Sequence, residues 1–214
     1  DVALFQHYLE YVTATCTDKQ QICAAYEYAL SNVGLDMDAK SIYMQYVEFA
    51  QIAGNEIVSV EHLRRIYHRA LLIPMNGLNE ILAHYENWEK SKSRELANKL
   101  IPEQERHFKA TANVYHKKKK YHEPLKCELH SIEQGGFDSL HRWRLFIEFE
   151  KTNPLGASPE ILKSYVVSAY RCALMSLQYC SILGMNMLSI LFLLMNQMKQ
   201  LMFIKRRSIF FRRT

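Results

Sequence analysis

Large apolar side chains recur along this chain at a spacing of three. The runs are Phe5-x2-Tyr8-x2-Tyr11, Tyr43-x2-Tyr46-x2-Phe49, Leu82-x2-Tyr85-x2-Trp88 and Trp143-x2-Phe146-x2-Phe149, with Leu replacing an aromatic in the third. Three-residue spacing sets all three side chains along one side of a helix, so each run predicts a helix with a strongly apolar face. A second pattern falls between them: Tyr26-x2-Ala29-Leu30, Tyr67-x2-Ala70-Leu71 and Tyr170-x2-Ala173-Leu174. A small Ala one turn from a Tyr lets a neighbouring helix come close. Two helix types in alternation, here called A and B, predict an all-α fold, an α-solenoid of antiparallel helix pairs. We expect the central rings Tyr8, Tyr46, Tyr85 and Phe146 to be buried, with Leu9, Val47, Leu145 and Ile147 packing beside the stripe. Rings buried in that way cannot act as a base-stacking platform.

Capping residues place the boundaries. The first A helix spans about Val2 to Val12, and its B helix about Asp18 to Asn32, closed by Val33-Gly34 with Gly34 in the left-handed C-terminal position. The second pair covers about Ala39 to Ala53 and Ser59 to Leu72, with Ser59 as N-cap and Pro74 ending the pair. A third A helix starts near Leu78. Its B region, about Ser93 to Lys120, is long and contains Pro102, expected to kink or split it. A polar connection from about Tyr121 to Gly136 follows. The fourth pair is an A helix at about Ser139 to Lys151 and a B helix opening at Pro159 behind Ser158. The array thus covers residues 1–180. Residues 181–214, apolar and then basic, read as an atypical or non-native continuation.

Composition adds limits. With 49% hydrophobic residues the chain is not a disordered tail, and 7 Gly and 5 Pro among 214 residues are too few for a turn-rich β-protein. The net charge of +5 resides in the end of the chain: Lys205, Arg206, Arg207, Arg212 and Arg213 account for it, and the rest balances. A neutral array gives little support to binding a nucleic-acid backbone, so RNA contact is expected only indirectly or weakly. Five cysteines without a C-x2-C pair, and no signal peptide, point to free thiols in a reducing compartment. A start at Asp1 rather than Met leads us to expect part of a longer chain.

No catalytic motif is present: no H-E-x-x-H, Gly-rich phosphate loop or G-x-S-x-G. We therefore expect no enzyme, cofactor or small-molecule substrate. Cys127-x2-His130, with His116 and His122 upstream, lacks the second ligand pair that zinc requires, so no metal site is expected. Lys117, Lys118, Lys119 and Lys120 form a candidate basic surface, read here as a solvated helix end. From Cys172 to Met198 no residue is charged, which meets the crude length criterion for a membrane span. Interspersed Ser, Asn and Gln and the B pattern at Tyr170 argue against insertion.

Aromatic A helices with W/Y-x2-Y/F-x2-F/Y-E, alternating with Y-x2-A-L B helices, resemble the half-a-TPR (HAT) repeat of RNA-processing proteins. Residues 25–30 (AYEYAL) with Val33-Gly34, 64–71 (RRIYHRAL), Ile73-Pro74-Met75-Asn76 and 143–154 (WRLFIEFEKTNP) are similar to the amino-terminal HAT region of the suppressor-of-forked family, the large scaffold subunits of cleavage stimulation factor. The likeness covers about residues 4 to 180 and includes the long third B region. It implies a non-enzymatic nuclear scaffold in pre-mRNA 3′-end cleavage and polyadenylation, whose partners are other subunits of the processing complex. The family's dimerising HAT block and its proline-rich docking segment are not recognisable here. A spliceosomal or ribosomal-RNA-processing HAT scaffold, and a membrane-anchored helical adaptor, are the alternatives.

Overall fold

The computed structural model describes residues 1–54, 56–128 and 136–177. Among them every regular element is an α-helix: α1 (Val2–Thr15), α2 (Lys19–Val33), α3 (Lys40–Ala53), α4 (Val60–Leu71), α5 (Leu78–Lys92), α6 (Arg94–Glu128), α7 (Gly136–Lys151) and α8 (Pro159–Leu177). The described residues fall into two compact units, divided between Lys119 and Lys120. The boundary expected at 180/181, and the whole segment 181–214, lie outside the described residues.

Side-chain caps set several helix starts. The side chains of Asp1, Asp18 and Ser59 accept backbone N–H groups of Ala3, Gln20 and His62 at 2.9, 2.8 and 3.2 Å. Each satisfies a donor that the first turn leaves without an intrahelical partner. Gly77 opens α5 with φ 73°, a backbone angle that calls for glycine.

In the first unit α1 to α5 pack each on its sequence neighbour, and α1, α3 and α5 also touch one another in series. Short connections between packed helices make the neighbours antiparallel. The interior is aromatic: Tyr43, Tyr46, Tyr67 and Tyr85 are at most 2% exposed, beside Ala29 and Ala70. The contacts repeat. Tyr26 of α2 stacks on Tyr46 of α3 (4.9 Å, 5°) and on Phe49 (5.6 Å, 29°). Tyr67 of α4 meets Tyr85 and Trp88 of α5, both at 5.4 Å. Each B-helix Tyr thus enters the aromatic bay of the next A helix.

The second unit uses the same chemistry. Leu125, Trp143, Phe146, Ile147, Val166, Ala169, Tyr170 and Ala173 form its core. Tyr121 stacks on Phe149 at 4.9 Å and 25°. Residues 121–125 read Tyr-x2-Pro-Leu, the B pattern with Pro124 in place of Ala, and Leu125 is buried as Leu30 and Leu71 are. The expected polar connection is therefore helical up to Glu128 and supplies a B-type contact.

Other expectations are corrected. Gly34 is right-handed (φ −64°), not left-handed. Its glycine is required by space, since a Cβ would sit 2.3 Å from the Leu30 carbonyl oxygen and 3.1 Å from the Tyr43 hydroxyl. Pro102 does not split the third B region: α6 is one 35-residue helix. Pro102 lies on the exposed side, as does Asn98, whose carbonyl loses its donor, so water can take the vacated position. The opposite face, with Ala97, Ile101, Gln104, Thr111 and Val114, stays buried. Tyr8 is 39% exposed instead of buried, and Tyr11 and Leu145 are exposed too. Spacing places a side chain on a face, but burial needs a helix over that face.

Truncating the rings separates these environments. Tyr67→Ala should cost about 3–5 kcal/mol because a fully packed ring is lost, whereas Tyr8→Ala should cost under about 1 kcal/mol. Urea denaturation of the two variants checks the difference; equal losses would contradict the packing described.

Candidate protein-binding surface

Buried tyrosines carry hydroxyls that must be satisfied, and histidines serve them. Tyr46 Oη pairs with His62 Nε2 (3.1 Å), Tyr67 Oη with His84 Nδ1 (2.6 Å) and Tyr85 Oη with His68 Nε2 (3.1 Å). Burial raises all three phenols, that of Tyr85 to about 12, with Glu89 adding to the shift. Tyr85 therefore keeps its proton. His68 is held below its ordinary 6.5, first by burial and then by Arg64, so it pairs with the phenol as a neutral ring.

Ion pairs tie the repeats together. Arg64 of α4 grips Glu89 of α5 through Nη2–Oε1 (2.7 Å) and Nε–Oε2 (3.1 Å), and its guanidinium lies 5.8 Å from the Trp88 ring. Glu89 is fully buried. Arg69 of α4 makes a second two-pronged pair with Glu27 of α2, at 2.9 and 3.2 Å, and faces the Tyr43 ring. Lys40 of α3 pairs with Glu80 of α5. Asn76 joins three segments: its amide donates to Asp38 (2.6 Å), its oxygen accepts from Tyr115 of α6 (2.7 Å), and its backbone N–H donates to the Met37 carbonyl (2.7 Å). These charges are engaged in holding helices.

The repeat residues divide accordingly. Tyr26, Ala29, Tyr43, Tyr46, Tyr67, Ala70, Tyr85, Trp88, Trp143, Phe146, Tyr170 and Ala173 are buried; Phe5, Phe49 and Phe149 are half-buried; Tyr8 and Tyr11 are exposed. The Lys117–Lys120 run is no helix end. It lies inside α6, and Lys118 is 4% exposed, because four successive residues span a full turn and one must point inward. Lys118 continues the buried stripe of Thr111 and Val114. Among the described residues no three His, Cys, Asp or Glu side chains gather as a metal site. The Cys127 and His130 side chains, and most of Cys172 to Met198, fall outside them. No described helix is long and apolar enough to cross a membrane.

Sequence reading missed the histidines and the arginine clamps. A signal existed: His adjoins Tyr in Tyr67-His68 and His84-Tyr85. One apolar patch on the described residues of the first unit lies on α1 and α2. Phe5, Tyr8 and Tyr28 form an aromatic trio with centroids 6.0–6.3 Å apart. Beside it runs a groove of about 440 Å³, lined by Tyr8, Val12, Cys16, Ala24, Ala25 and Tyr28 among others.

Two outcomes follow from the polar network. Glu89→Ala leaves Arg64 without its buried partner and should cost about 3 kcal/mol, while Arg64→Met with Glu89→Leu should recover most of it; chemical denaturation of the single and double variants checks this. His68 takes up a proton more readily in the unfolded chain than in the fold. Stability should therefore be constant above about pH 6.5 and fall as pH drops toward the lower folded value. Urea midpoints between pH 7.5 and 5 should fall less steeply for His68→Gln; an unchanged slope would contradict the assignment.

Comparison with known proteins gives this geometry a lineage. The family model "Suppressor of forked protein (Suf)" matches residues 1–209, so the likeness extends past Cys180, where the repeat pattern alone loses it. Cleavage stimulation factor subunit 77 of Arabidopsis thaliana is 27% identical over 192 residues, covering 83% of this chain and 26% of that protein. Protein suppressor of forked of Drosophila melanogaster is 26% identical over 169 residues, 72% of this chain and 22% of that protein. The mRNA 3′-end-processing protein rna14 of Schizosaccharomyces pombe is 22% identical over 220 residues, 96% and 30% respectively. The chain spans less than a third of the length of these relatives. The crystal structure of CstF-77 shares the fold, with a TM-score of 0.64 and 22% identity over 79% of this chain and 35% of that one. Repeat pattern, helix stacking and a family match over nearly the whole chain agree: this protein belongs to the suppressor-of-forked family.

Proposed function

We propose that this chain is a non-enzymatic, protein-binding scaffold segment in nuclear pre-mRNA 3′-end cleavage and polyadenylation, holding other subunits of the processing complex. The observation that carries the reading is the family match over residues 1–209, together with relatives named as mRNA 3′-end-processing proteins and as a cleavage stimulation factor subunit. The fold supports it, because stacked helix pairs expose long ridges and grooves suited to protein partners. The charge balance before the terminal basic cluster supports protein, with RNA contact secondary. Polyadenylation occurs in the nucleus, so the same reading places the protein there. The Lys117–Lys120 run, with Lys118 buried, offers a smaller basic surface than its sequence suggests.

The test is depletion of the parent protein, with 3′-end cleavage of a reporter transcript measured beside splicing. Cleavage should fall severalfold while splicing of an unrelated intron persists. Unchanged cleavage with defective splicing would move the protein to the spliceosomal relatives. Unchanged values in both, with the tagged protein in membrane fractions, would favour the helical adaptor.

A further inference from the structure

Charge is not spread evenly over the first unit. From Arg106 to His122 no residue is Asp or Glu, so the middle of α6 is a carboxylate-free stretch between Glu105 and Glu123. One side of it is buried, with Thr111, Val114 and Lys118. On the other side Arg106, Lys109, Asn113 and Lys117 are exposed, and so is His116 beside them. Their spacing keeps these four within about 80° of one another around a helix of 3.6 residues per turn. The ridge runs ~17 Å along the axis and lies wholly in the first unit.

Cations elsewhere in this unit are engaged. Lys40, Arg64, Arg69 and Lys90 each meet a carboxylate. Arg106, Lys109 and Lys117 form no ion pair, although Glu103 and Glu105 stand one turn before Arg106 and Lys109. Arg106 donates from Nε to the Pro102 carbonyl of its own helix at 3.4 Å. Like charges on one stripe repel, so internal packing gives no reason for their grouping. An external anion does. Between Lys99 and Lys117 α6 exposes no large apolar side chain, since Leu96 and Tyr121 lie beyond those limits. A protein partner relies on aromatic and aliphatic anchors, and lysine is depleted in such interfaces. A phosphodiester backbone needs the reverse: cations along a line, with polar groups such as Asn113 and His116 to meet its oxygens.

We infer that the Arg106–Lys109–Asn113–Lys117 ridge of α6 holds the phosphate backbone of a single RNA strand, without reading its bases. The choice of RNA as the polyanion rests on the proposed role in pre-mRNA processing. The ridge adds a strand contact to the protein-binding role and does not replace it.

The experiment titrates the full chain into a labelled oligouridylate of about 20 nucleotides, between about 50 and 200 mM KCl. Lysines are acetylated with acetic anhydride in the presence and absence of the RNA, and shielding is read by mass spectrometry. Lys109 and Lys117 should be shielded severalfold more than Lys19 of α2. Arg106→Gln, Lys109→Gln and Lys117→Gln together should weaken binding about tenfold at the lower salt. They should also flatten the slope of log K against log salt by about 2, since each contact to a single strand contributes about 0.7. Arg206→Gln with Arg207→Gln, in the terminal basic cluster, should leave the shielding of Lys109 and Lys117 in place. Unchanged affinity and slope in the triple variant, or equal shielding of Lys19 and Lys109, would overturn the inference. So would displacement of the RNA by poly-L-glutamate at equal charge, since an acidic polypeptide would then be the occupant. Shielding on the unsubstituted chain decides the matter even if the triple variant folds poorly. Both readouts use purified chain and RNA, so their failure leaves the processing role standing, and unchanged reporter cleavage leaves the ridge standing.

Discussion

The structure depends on one repeated contact, the insertion of a B-helix tyrosine into the aromatic bay of the next A helix. Tyr26 against Tyr46 and Phe49, and Tyr67 against Tyr85 and Trp88, set the spacing and rotation of successive helices in the first unit. Offset and tilted rings bury large areas while avoiding face-to-face repulsion of their π-clouds. Ala29 and Ala70 make the contact possible, because any larger side chain there would push the helices apart. Tyr121 against Phe149 repeats the arrangement in the second unit.

Tyrosine rather than phenylalanine at these positions carries a requirement, since a buried hydroxyl without a partner would cost more than the contact gains. His62, His68 and His84 meet that requirement for Tyr46, Tyr85 and Tyr67. A stack held by rings alone could slide, whereas a ring whose hydroxyl must meet one particular nitrogen cannot. The bidentate pairs Arg64–Glu89 and Arg69–Glu27 act in the same sense, since a planar fork meets a carboxylate in one orientation only. Such pairs add little net stability and specify register instead.

Much of this was legible. The triplets and the Tyr-x2-Ala-Leu runs identified the helices, and Asp18, Ser59 and Pro159 marked their starts to within a residue or two. Other features were hidden for definite reasons. Tyr-x2-Pro-Leu at residues 121–125 passed as a connection because proline stands where alanine was expected and the neighbours are polar. Pro102 promised a break, yet a proline on the solvent side of a helix buried on its other face is tolerated. Gly34 suggested a left-handed cap, but the constraint was space, between the Leu30 carbonyl one turn back in α2 and the Tyr43 hydroxyl of α3.

By itself the sequence determined periodicity: which residues share a helical face, where helices begin, and that A and B helices alternate. Those properties follow from local backbone geometry and short-range capping, which depend on neighbours along the chain. Only the tertiary structure decided which faces are covered. Tyr8 and Tyr46 hold the same place in the same pattern, yet one is open and the other sealed, because Tyr26 reaches only the second. It also decided which histidine meets which phenol, which arginine reaches which carboxylate, and that Lys118 of a four-lysine run is turned inward. These are contacts between residues distant in sequence, and they are set by the rotation of packed helices about their own axes, which no local pattern encodes.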